Sequence, residues 1–138
     1  EAESLLRRAI KVEPNSTEVL SNLAFLLSQP SRPQSHAEAE QVFDKILGSE
    51  DGKDDIATLN NYAMYQKDVK SNYSYSRELL ERAAQLDDQV IITLGNLALL
   101  ALQELKDDRF IENTAEEGAH YNMSGTEFGR ALTVKALR

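Results

Sequence analysis

The side chains best suited to metal or covalent chemistry are few in this chain and badly spaced for it. Its two histidines, His36 and His120, stand far apart, and there is no cysteine. Disulfides, thiolate zinc sites and a cysteine nucleophile are thereby excluded. The acidic pairs Asp54-Asp55, Asp107-Asp108 and Glu116-Glu117 do not follow the alternating oxygen-ligand spacing, with its turn glycine, of a calcium loop, and read as solvated helix ends. No glycine-rich phosphate cradle and no nucleophile elbow occurs. The expectation is a protein without catalytic residues, metal ligands or cofactor. The Asn-x-Ser/Thr triplets at Asn15, Asn72 and Asn122 read as chance, and Pro30-x-x-Pro33 as an interhelical loop.

What does recur is asparagine. Two residues after the leading leucine of three similar segments, at Leu20, Leu59 and Leu94, stand Asn22, Asn61 and Asn96. One step earlier lie Ser21, Asn60 and Gly95, and three steps later Phe25, Met64 and Leu99. A carboxamide offers one acceptor oxygen and two donor hydrogens, which match the N–H and C=O of a peptide bond without demanding any particular side chain. Asparagine in a helix interior costs up to about 0.7 kcal/mol relative to alanine, so three at one offset need a reason. Two readings stay open: a ladder that holds an extended peptide, or three amides that each bond a neighbouring helix. In the first, Asn22, Asn61, Asn96, Ser21 and Asn60 supply polar contacts, and Phe25, Met64 and Leu99 supply apolar specificity.

Helices must position these residues. Glycine (6) and proline (3) are scarce and tryptophan is absent, while apolar residues recur at helical spacing. Leu20, Leu23, Ala24 and Leu27 form an i, i+3, i+4, i+7 stripe; Leu59, Tyr62 and Ala63 repeat it, as do Leu94, Leu97, Ala98 and Ala101. A second kind of helix alternates with the first: Ala2, Leu6, Ala9 and Ile10 are echoed by Ala39, Phe43, Ile46 and Leu47, then by Ser76, Leu80, Ala83 and Ala84. A period between 20 and 50 residues signals a repeat array. Turn signals at Pro14, Pro30, Pro33, Gly48, Asp51-Gly52 and Lys70-Ser71-Asn72 set the phase. Asn15 with Glu18, and Ser35 with Glu38, read as helix-starting caps. The predicted helices span 1–13, 16–29, 35–48, 54–68, 74–87, 90–105 and 125–138.

These units, with Leu-x-x-Leu-Ala on the first helix, Ala-x-x-x-Leu/Phe-x-x-Ala on the second and a closing proline, resemble the tetratricopeptide repeat. Ala2, Leu6, Ala9 and Pro14 match its second helix, and Leu94 to Ala98 its first. Ile46 stands where a small residue is usual, Gln66 where an apolar one is, and Asp51 and Asp88 where the proline is. The resemblance implies an all-α, right-handed superhelical solenoid of about three antiparallel helix pairs, the first helix of each pair facing a concave groove. It covers residues 1–105, starting within a second-type helix. Residues 106–124 are expected to be an irregular insertion, and 125–138 the second helix of the last repeat, with Gly129, Leu132, Thr133, Ala136 and Leu137 in phase and Ser124 and Glu127 as its cap.

The resemblance also narrows the function. It implies a non-enzymatic protein–protein interaction module that binds an extended segment in its groove; the alternatives are a structural piece of a larger repeat assembly, or the regulatory array of an enzyme whose catalytic domain lies elsewhere. Family members that clamp an acidic tail do so with lysine and arginine, whereas the corresponding positions here hold Glu18, Ser21, Asn60, Ile92 and Gly95, which disfavours that subclass. With 15 Lys and Arg against 23 Asp and Glu, the net charge is -8, and nucleic acid is not an expected partner. No stretch reaches the roughly 20 apolar residues of a membrane span, and the opening Glu1-Ala2-Glu3 lacks a signal pattern. The expected setting is the cytoplasm or another reducing compartment. Weak self-association through the exposed end helices is expected.

Overall fold

A computed structural model describes the backbone of residues 1–120 and the side chains of residues 1–109. The described residues are all-helical: α1 (Ala2–Val12), α2 (Thr17–Leu27), a 3-10 turn (Pro33–Ser35), α3 (His36–Leu47), α4 (Ile56–Asp68), α5 (Tyr73–Leu86) and α6 (Ile91–His120). The first five helices agree with the predicted spans to within two residues. Among the described residues no helix is long and apolar enough to cross a membrane. The chain divides into two compact units, Glu1–Leu97 and Ala98–Arg138.

Local chemistry explains where the helices begin. Asp55 caps α4 by accepting from the Thr58 amide at 2.9 Å, and Asn72 caps α5 by accepting from the Tyr75 amide at 3.3 Å. The cap of α2 is Ser16, whose Oγ accepts from the Val19 amide, and not Asn15. Ser35 precedes α3 but its side chain caps nothing, because the 3-10 turn already leads into the helix. Glu38 is engaged elsewhere: both its oxygens accept from Arg7 Nη2 at 2.9 Å, while Arg7 also donates to Glu3 and Glu3 pairs with Arg32. This network ties α1, which has no buried residue, to the chain around α3.

In the first unit each helix from α1 to α5 packs on the next in sequence, and α2 also packs on α4. The core is built from small residues that let helices approach and large ones that fill the space between. Ala24, Ala39, Ala63, Ser76 and Ala83 are buried against Leu27, Phe43, Ile46, Leu59 and Leu80. The small position Ser76 keeps its hydroxyl satisfied by donating to the Ala63 carbonyl at 2.8 Å. The Phe43 and Tyr62 rings stack at 4.5 Å, and Tyr62 Oη donates to Asp44 at 3.1 Å. Ile46, larger than its counterparts, is accommodated by Gly52: a Cβ there would lie 2.5 Å from the Ile46 carbonyl oxygen and 2.6 Å from its Cγ2.

The chain after Leu86 departs from expectation twice. α6 does not stop at 105; it continues through Lys106 as one helix of 30 residues to His120, where an irregular insertion was predicted over 106–124, the last four residues of which lie outside the described residues. Between Asn96 and Glu117 there is neither glycine nor proline to end it, and charged residues are compatible with a helix as well as with a loop. Gln103 donating to Asp107 at 3.1 Å is one such i, i+4 contact. The buried face of α6 also differs. Leu94, Ala98 and Ala101 are exposed and Leu97 half-buried, whereas Thr93 and Leu100 are buried. Within the first unit the phase of α6 follows its polar bonds to α4, described below. The helix predicted at 125–138 lies outside the described residues.

Candidate functional site

Phe25, Asn61 and Met64, three of the residues read as groove-lining, line one cleft of about 220 Å³ between α2 and α4. The C-terminal turns of both helices form its mouth. At the end of α2, the Phe25 carbonyl accepts from Ser28 Oγ at 2.8 Å and from Gln29 Nε2 at 2.9 Å, and Pro30 then turns the chain away. At the end of α4, Asp68 and Val69 contribute to the lining. Phe25 is 51% exposed, an unusual amount for a phenylalanine that faces a cleft. Asn61 and Met64 are half-buried, and Tyr65 forms part of the floor. Burial, and secondarily the Glu40 carboxylate, push the Tyr65 hydroxyl above its ordinary range, so it stays protonated. Asn22, three residues before Phe25, lies on the same face of α2 and is exposed.

Ser21 and Asn60 are placed differently. Both are buried, and both belong to a polar seam between successive first-type helices. The Thr58 hydroxyl on α4 donates its one hydrogen to the Asp55 carboxylate at 2.5 Å and accepts from Ser21 Oγ on α2 at 3.1 Å. One repeat later, Asn60 Nδ2 donates to the Ile56 carbonyl at 3.0 Å and to Thr93 Oγ1 on α6 at 2.8 Å, while its Oδ1 accepts from Asn96 Nδ2 at 2.9 Å. Both donor hydrogens and the carboxamide oxygen of Asn60 are thus occupied. The three asparagines at the recurring offset therefore have three environments: Asn22 exposed, Asn61 in the cleft wall, Asn96 half-buried and bonded to Asn60. Leu99 belongs to the second unit and is 48% exposed.

The sequence reading missed Gln29, Pro30, Tyr65 and Asp68 as cleft residues. They sit at or beyond helix ends, where no periodicity points. It also missed Thr58 and Thr93, although a signal existed, since each immediately precedes the leading leucine of its segment. Ile92, at a clamp position, is exposed, and space is open around Gly95. Among the described residues no group of three or more His, Asp or Glu is placed to hold a metal ion. His36 Nε2 donates to the Gln29 carbonyl at 2.8 Å, a structural role at the start of α3. A second, larger groove of about 580 Å³ runs between α3 and α5, with Asp44, Leu47, Tyr75, Glu78 and Arg82 in its walls, and contains none of the predicted residues. Comparison with protein-family models, with curated proteins and with solved structures yields no match to this chain.

Proposed function

We propose that the chain is a tetratricopeptide-like solenoid that acts as a non-enzymatic binding module for an extended peptide segment, held along the face of α2 and α4. The observation that carries this reading is the meeting of Phe25, Asn61 and Met64 in one cleft, with Asn22 exposed on the same face of α2. Two accessible carboxamides on neighbouring helices suit the backbone of an extended chain, and an exposed ring beside a methionine offers an apolar seat for a side chain. Ser21, Asn60 and Asn96 support the site from behind by fixing the spacing of the helices. Replacing Asn22 and Asn61 together by alanine is expected to leave the melting temperature level or raised and to weaken peptide binding by about 0.5–1.5 kcal/mol for each hydrogen bond lost. Unchanged binding in calorimetry with the folded double variant refutes the groove.

A second reading, a structural segment of a larger assembly, is favoured by the exposed apolar residues Leu5 and Val12 on α1 and Ile91 and Ile92 at the start of α6. Apolar surface of this kind favours association. Sedimentation that finds a strict monomer at high concentration counts against it.

A further inference from the structure

The chemistry of the cleft mouth says more about what enters it. Both helices that form the cleft present their C-terminal turns there, and the negative ends of two helix dipoles add at one place. Asp68, the last residue of α4, is the one formal charge in the lining; no lysine, arginine or histidine lines the cleft. Its Oδ1 pairs with Lys67 Nζ at 2.7 Å. A carboxylate has two oxygens and room for several donors, so Oδ2 is left for a second cation. The remaining wall is apolar, formed by Phe25, Met64, Pro30 and Val69. At about 220 Å³ the cleft falls below the roughly 300–1,000 Å³ of small-molecule pockets, a size for one long side chain.

From these observations we infer that the cleft is a pocket for a single arginine or lysine side chain of the bound segment, its methylene stem on Met64 and Pro30 and its cation at Asp68. The exposed Phe25 ring adds a face over which a cation is attracted, and the net charge of -8 favours approach of a basic segment. This rests on the groove reading and names its ligand chemistry.

The test uses the whole chain, isotope-labelled, titrated at low salt with acetylated and amidated Ser/Ala heptapeptides that carry arginine, citrulline, leucine or glutamate at the centre. Citrulline keeps the shape of arginine without its charge. The side-chain amide signals of Asn61 and the methyl signal of Met64 report occupancy. The arginine peptide is expected to bind about fivefold to tenfold more tightly than the citrulline peptide, and Asp68→Asn to remove that preference while leaving citrulline binding as it was. Asp68→Asn takes the charged partner from Lys67, whose side chain is 9% exposed, so each variant is melted first. Asp68→Glu, which keeps the charge, is expected to keep the arginine preference; its loss in folded Asp68→Glu counts against the inference. If citrulline or leucine binds as well as arginine, or if the preference survives Asp68→Asn, the inference is overturned while the movement of the Asn61 signals sustains the groove. If no peptide moves either signal, the groove reading falls together with it.

Discussion

Asn22 and Asn96 occupy the same offset in their repeats, yet substitution by alanine is expected to move stability in opposite directions. Asn96 Nδ2 donates to Asn60 Oδ1 at 2.9 Å, and Asn60 is 4% exposed. Asn96→Ala leaves that oxygen buried without a donor, a penalty of about 1–3 kcal/mol. Alanine returns up to about 0.7 kcal/mol of helix propensity, so the net loss is about 0.5–2 kcal/mol. At roughly 3–5 °C per kcal/mol for a chain of this size, the midpoint falls by several degrees. Asn22 has no side-chain hydrogen bond to another described residue, and Asn22→Ala keeps only the propensity gain. Urea and thermal unfolding of both variants, followed by far-ultraviolet circular dichroism, measure the difference. A double-mutant cycle between Asn60→Ala and Asn96→Ala isolates the pair and is expected to give a coupling of about 0.5–1.5 kcal/mol. Equal effects of Asn22→Ala and Asn96→Ala, or a coupling near zero, refute the claim that the buried amide seam joins α4 to α6.

Two further perturbations probe the frame that holds the cleft. Gly52→Ala is expected to destabilise by about 1–3 kcal/mol, because the new Cβ meets backbone and side chain of Ile46. Ile46→Ala alone opens the core at a cost of about 2–5 kcal/mol, and in a double-mutant cycle the combined loss is expected to be less than the sum of the two, so that strictly additive losses in urea refute a side-chain share in the clash. Hydrogen bonds from Arg32 and then Arg7 hold the Glu3 carboxyl below the usual carboxylate range. A depressed folded value contributes stability that is fully present above the unfolded pKa and is lost as pH falls through the folded one. Amide protection in residues 2–12 should therefore drop between about pH 5 and pH 3 more than in α4, and an equal drop in both helices would contradict the role of the ion network.

The all-helical class and the positions of α1 to α5 were legible in the residues alone, because a stripe at i, i+3, i+4 and i+7 has only one face to bury and because Asp55, Asn72, Pro30 and the Asp51-Gly52 pair punctuate locally. Small residues such as Ala24, Ala39 and Ala63 were legible as helix crossings for the same reason: their size matters only where backbones approach. Grouping Phe25, Asn61 and Met64 was also within reach, since repeat offset is preserved when successive units stack. The fate of each polar side chain depended on how the helices pack. Ser21, Asn60 and Asn96 look like groove residues by offset, yet a few tens of degrees around the helix axis separate an open face from a helix contact; Thr58 opposite Ser21, Thr93 opposite Asn60, and Asn60 opposite Asn96 settled which one they took. The length of α6 was likewise undecided locally, because charged residues are at home both in loops and on exposed helix faces. Asp68 became part of the cleft only when the ends of α2 and α4 were brought together, an encounter between segments 40 residues apart in the chain that no local pattern encodes.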